Sequence, residues 1–111
     1  MSPDPERRRE IGTAVYSFTV TYTVSEDDRE AVAAALRAMT THSRAEPGVI
    51  DYRAHVLASD PCTFMVYEVY DAEESFAAHR KTDHFAKYFH DVVSPAALTR
   101  DFVEYSALEP G

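Results

Sequence analysis

Apolar and polar positions alternate from residue 14 to 24. Tyr16, Phe18, Val20, Tyr22 and Val24 share one face, and Ser17, Thr19, Thr21 and Thr23 share the other. A period of two carried by aromatic and β-branched residues predicts a strand. The period then changes. Ser25 is placed to cap a helix, with Glu26, Asp27 and Asp28 in its first turn. Val32, Leu36, Met39 and Ser43 make a helical stripe flanked by alanines, and Glu46-Pro47-Gly48 ends the segment. Alternation returns over 49–57, with Ile50, Tyr52, Ala54 and Val56 opposite Asp51, Arg53 and His55. Ala58 to Pro61 reads as a hairpin turn. The strand predicted over 63–70 is apolar on both faces: Phe64, Val66, Glu68 and Tyr70 against Met65, Tyr67 and Val69. Apolar residues on both sides predict a central strand. Residues 72–81 and 84–93 read as two short helices, the second carrying Phe85, Tyr88, Phe89 and Val92 and broken by Ser94-Pro95. Alternation near Phe102 to Ala107 predicts the last strand.

The order β-α-β-β-α(α)-β predicts an α+β fold, the ferredoxin-like split β-α-β arrangement, with an antiparallel sheet and its helices on one face. The other sheet face has no helix to cover it and is not polar in the first and third strands. A bare apolar face of this kind predicts a homodimer, sheet against sheet about a twofold axis. One domain is expected over 14–107, with an N-terminal arm at 1–13, rich in charge and proline, and a short tail at 108–111.

Composition narrows the function classes. The chain of 111 residues carries 11 basic and 19 acidic side chains, a net charge of −8. That balance argues against nucleic acid and anionic membrane as partners. Arg7-Arg8-Arg9 is followed by no apolar run, and no stretch approaches the length of a membrane span, so a cytoplasmic location is expected. The lone cysteine, Cys62, allows no intrachain disulfide and reads as a structural thiol. His42, His55 and His90 are scattered, and His79 and His84 lack the i, i+4 spacing of a helical metal site, so no metal is expected.

The stretch richest in chemistry is Glu68-Val69-Tyr70 followed by Phe76, His79, His84, Phe85 and Tyr88. Together with Glu46-Pro47-Gly48-Val49-Ile50-Asp51-Tyr52 and Phe64-Met65-Val66-Tyr67, it resembles the antibiotic biosynthesis monooxygenase family, dimeric α+β barrels, over about residues 14–107. The string Glu68-x-Tyr70-x8-His79-x4-His84-Phe85 carries most of the resemblance. The family includes cofactor-independent oxygenases of quinols and aromatic polyketides, an isomerase of a phosphorylated signal, and haem-degrading enzymes. Haem degradation is disfavoured. The positions corresponding to its pocket residues hold Thr19, Tyr70 and Phe89, and His90 is one step, about 100° round a helix, from the pocket-facing position.

The resemblance implies no cofactor, and a small aromatic substrate with O2 as co-substrate. Cofactor-free oxidation requires a base, a dry aromatic chamber and polar contacts for an oxyanion. His79 and His84 are the candidate bases, and Glu68 is a base or the partner that orients His79. Tyr70, Phe64, Phe76, Phe85 and Tyr88 are the candidate substrate-binding residues. Each has a structural alternative: His79 bridging helix and sheet, His84 packing a helix end, Glu68 paired with Arg53 or Arg80, and the aromatics as core. A non-catalytic dimeric ligand-binding or stress-associated protein and an isomerase of a small carbonyl compound remain open at this point.

Overall fold

The computed structural model describes residues 15–108 and Pro110; the expected N-terminal arm and most of the tail lie outside the described residues. Four strands, β1 (Tyr16–Thr23), β2 (Val49–Leu57), β3 (Asp60–Tyr70) and β4 (Thr99–Tyr105), form one antiparallel sheet in the order β2-β3-β1-β4. The helices are α1 (Arg29–Ser43), α2 (Glu73–His79) and α3 (Phe85–Val93), the last continued by a single turn, Ser94–Ala96. This is the split β-α-β topology that the change of period predicts, with β1 and β3 as the central strands.

Register places Val20 beside Val66 and Phe102, and Phe18 beside Glu68, so these residues share the sheet face under the helices. Phe18, Val20, Tyr22, Tyr52, Phe64, Val66 and Tyr70 are buried there against Val32, Leu36 and Met39 of α1. The predicted α1 stripe is the buried stripe, down to Ser43. The opposite face carries Thr19 and Thr21, Met65, Tyr67 and Val69, and Val103, with no helix over it among the described residues.

Several local expectations need correction. Ser25 opens a 3-10 turn, Glu26–Asp28, and its hydroxyl donates to Asp28 Oδ2 at 3.2 Å instead of capping a backbone amide. β2 does not keep one apolar face. A register shift between Val49 and Asp51 puts Ile50 in a bulge, 56% exposed, and Val56 near a second irregularity is 54% exposed. The hairpin turn is shorter than read, because β3 already begins at Asp60. α3 is a π-helix, and the Ser94 amide donates to the Phe89 carbonyl five residues back. The wider turn buries Val93 rather than Val92. Ser94-Pro95 does not break the segment, which continues through the turn Ser94–Ala96.

Gly48 packs where the α1–β2 turn meets the start of α2. Its carbonyl accepts the Asp71 amide at 2.9 Å, and a Cβ there would fall inside the Ser75 side chain and lie 3.1 Å from Asp71 Oδ1. Gly48→Ala is therefore expected to destabilise the fold by about 1–3 kcal/mol, read by chemical denaturation, because α2 must move away. An unchanged midpoint would show that the turn can yield.

Candidate functional site

Between the sheet and helices α2 and α3 lies a cavity of about 580 Å³. Phe18, Val20, Tyr22 and Tyr52 floor it, Leu36 and Met39 of α1 close one side, and Phe76, Phe85, Phe89 and Val93 form much of the roof. Glu68 and His79 are its interior ionisable groups, and Arg80, His90, Arg100 and Phe102, all exposed, edge it. The aromatic walls are mutually packed: Phe18 lies 4.9 Å from Phe76 and 4.6 Å from Phe102, and Phe85 lies 4.8 Å from Phe89, centroid to centroid. Such a chamber suits flat apolar ligands.

His79, the last residue of α2, is 1% exposed. Its Nδ1 faces Glu46 Oε2 at 2.8 Å, and Nε2 of His84, in the residue preceding α3, faces the same oxygen at 2.6 Å. A carboxylate oxygen accepts, so the two facing nitrogens carry the hydrogens. In the neutral ring this fixes His79 in the Nδ1–H form and leaves the Nε2 lone pair, which has no partner among the described residues, to accept a proton. Burial lowers the His79 pKa, while the Glu46 carboxylate pulls it back up. Glu46 is held by the turn that ends α1: its amide donates to Ser43 O and its carbonyl accepts from Val49 N.

Glu46 is the residue sequence reasoning missed. The sequence assigns it to a helix stop and to the stretch that carries the family resemblance, with no chemical role; a carboxylate beside Pro-Gly in the turn between α1 and β2 is the available signal. The expectation that Glu68 orients His79 is replaced by Glu46 doing so. The two histidines, set apart by spacing, do converge: donor atoms of Glu46, His79 and His84 lie within 4.8 Å of one another. Both imidazoles meet the one Glu46 oxygen at hydrogen-bond distance, 2.8 Å from His79 and 2.6 Å from His84.

Glu68 is 5% exposed and sits in register between Phe18 and Tyr52. Tyr70 Oη donates to its Oε1 at 2.5 Å. Neither Arg53, which pairs with Asp51, nor Arg80, which lies over the Phe76 ring, serves it. Burial pushes the Glu68 carboxyl up to about 8, against the lowering effect of the Tyr70 hydroxyl. The Tyr70 phenol is itself pushed far up, by burial and then by Glu68.

Of the other residues singled out from sequence, Phe76 and Phe85 line the cavity, while Phe64, Tyr70, Tyr88 and His84 do not. Phe64 borders a separate surface groove beside α1, and Tyr70 lies beneath Phe76. Tyr88 stacks on His42, which stacks on His84, outside the chamber. Thr19 points to the uncovered sheet face. His90, expected to turn away, reaches the cavity edge because the π-helix resets the angle between residues. Cys62 is half-buried beside Glu26, and burial raises its thiol pKa.

The Glu68 shift has a consequence for stability. A carboxyl whose pKa is raised on folding binds a proton more readily in the native state, so stability falls as pH rises from about 4.3, the unfolded value, to about 8. The lowered His79 pKa acts in the opposite sense: stability it contributes is lost as pH drops below about 6.5. Between pH 7 and 8 the Glu68 effect predominates among the described residues with a resolved shift. The unfolding free energy is expected to drop by about 1 kcal/mol across that interval, and Glu68→Gln to flatten it. Equal slopes in the two proteins would disprove the burial argument.

The family model described as "Antibiotic biosynthesis monooxygenase" matches residues 2–91. Among solved structures, a Nitrosomonas europaea protein named as a candidate antibiotic biosynthesis monooxygenase is 31% identical, with 88% of this chain and 94% of that chain covered and a TM-score of 0.80. A conserved Bacteroides thetaiotaomicron protein of unknown function, suggested to be an oxidoreductase, is 27% identical over 86% of this chain and 99% of its own, at a TM-score of 0.78. A second Bacteroides protein, 23% identical over 90% and 95%, gives a TM-score of 0.82 and shares the fold. No curated protein sequence matches. Among the described residues, no helix is long and apolar enough to cross a membrane.

Proposed function

Because the chain belongs to the antibiotic biosynthesis monooxygenase family, we propose that it oxidises an electron-rich aromatic, a quinol- or polyketide-like compound, with O2 and without a bound cofactor. The observation that carries this reading is the Glu46–His79 pair at the wall of an aromatic cavity. The substrate lies flat among Phe18, Phe76 and Phe85. His79 Nε2 takes a proton from its hydroxyl or activated CH2, while Glu46 holds the ring and stabilises the imidazolium that forms. The resulting anion passes one electron to O2, and the two radicals combine to a peroxide. At a CH2 centre, loss of water from that peroxide leaves a carbonyl, so one oxygen atom enters the product and the other leaves as water. Glu68, protonated below about pH 8, supplies a neutral hydrogen-bond donor to the substrate oxygen.

The working unit is a homodimer, with the uncovered face of Thr19, Tyr67, Val69 and Val103 packed against its copy. That face is half-buried to exposed in one chain and opposite the cavity.

Oxygen uptake with an anthrone tests the reaction. Protein treated with EDTA and stripped of flavin is expected to consume one O2 per CH2 oxidised, well above autoxidation. Uptake that appears only with added flavin or metal, or none above the uncatalysed rate, would end the proposal.

A further inference from the structure

The protein is strongly acidic, with a net charge of −8, yet the ionisable groups lining its cavity are of the opposite kind. Its edge carries two guanidinium groups, Arg80 and Arg100, and the His90 imidazole, against one carboxyl in its lining, Glu68. Glu68 is buried and held largely protonated at neutral pH, so it offsets little of this charge. Both guanidinium groups are held over aromatic rings, Arg80 5.0 Å from the Phe76 centroid and Arg100 5.2 Å from that of Phe89. Among the described residues neither arginine forms a salt bridge.

The two ends of the cavity edge differ. Glu73, Glu104 and Arg80 all act on Tyr16, so carboxylates attend the Arg80 end. Arg100 stands in register beside Tyr22, with Asp101 on the other sheet face. His90 sits close by: its ring lies 5.6 Å from Phe89 and 5.1 Å from Phe85. A guanidinium with no ion-pair partner among the described residues and an imidazole thus flank the same aromatic wall. The cation–π contact biases the Arg100 guanidinium toward Phe89, at the cavity edge that Arg100 lines.

We propose that the cavity selects aromatic anions: the ring system enters the Phe18–Phe76–Phe85 chamber while a carboxylate or phosphate on it is held at the edge by Arg100, with His90 beside it. This deepens the oxygenase reading and rests on the same cavity. It also assigns Arg100 a role in specificity. A neutral ring would leave the guanidinium with water alone, whereas a carboxylate forms charge-assisted hydrogen bonds with it.

Binding, not turnover, is the test. Affinities of 2-naphthoate, 2-naphthyl phosphate and the neutral 2-naphthamide are measured by calorimetry on the purified chain and on Arg100→Gln, an exposed edge-strand change that the fold should tolerate. Both anions are expected to bind at least about tenfold tighter than the amide. The tighter of the two identifies the preferred group. Arg100→Gln should lose about tenfold for the anions and change amide binding by less than about twofold. Equal affinities in the parent protein, no binding by either anion, or an equal loss for anion and amide would overturn the proposal. Anion selectivity without oxygen uptake would sink the oxygenase reading and leave this one standing. Turnover of a neutral quinol with no selectivity would do the reverse.

Discussion

Alanine at position 79 is expected to lower substrate-dependent oxygen uptake by about 100-fold or more, the usual yield of a positioned general base. His79 combines four properties that no other side chain in the cavity has together. It lines the chamber, it is buried, one nitrogen is committed to Glu46, and the other is uncommitted among the described residues. The loss should fall on kcat with the affinity for a naphthoate probe little changed, since the aromatic walls stay in place. Glu46→Gln separates a positioning role from a structural one. The amide retains size but replaces a charged acceptor with a neutral one, and a loss of about 10- to 100-fold is expected. The Glu46 carboxylate raises the His79 pKa against the effect of burial. Its removal should therefore shift the acidic limb of the rate profile to lower pH while the plateau falls. A plateau that falls with no movement of that limb would mean that Glu46 merely holds the turn together. Undiminished turnover in His79→Ala would remove the base from the mechanism altogether.

Sequence pattern carried the fold well because its strongest signals are periodic and local. The β1 alternation and the α1 stripe from Val32 to Ser43 each point one face inward, and one face is what the structure buries. It failed where geometry departs from the ideal period. The Ile50 bulge and the π-helix of Phe85–Val93 each reset which residues face inward, and neither leaves a signal in hydrophobic spacing. The candidate site was half legible for a related reason. His79, Glu68, Phe76 and Phe85 lie close in sequence and reach one cavity. Glu46 comes to them from 33 residues away in sequence, by a turn that the pattern marks only as a helix stop. Arg100 and Phe102 arrive from the edge strand β4. No local pattern reports that pairing, because it is fixed by the whole sheet order.

The second large effect is expected on assembly. Thr19 lies at the centre of the uncovered sheet face, between Tyr67 of β3 and Val103 of β4. Across a twofold axis, Thr19→Glu would bring two carboxylates into one apolar interface. Each would lose water with no cation facing it from its own strand, at a cost of several kcal/mol. The proposed dimer is expected to weaken by at least about 100-fold, seen as a concentration-dependent shift to monomer in sedimentation equilibrium. In a lone chain the same glutamate can extend into solvent, so the fold should survive with a loss of about 1 kcal/mol or less from strand preference. The cavity lies on the other side of the sheet from Thr19. Naphthoate binding should therefore persist in the monomeric variant. Loss of binding with the fold intact would mean that the partner subunit shapes the chamber. A parent protein that sediments as a monomer at all concentrations would mean that something other than a second copy covers this face.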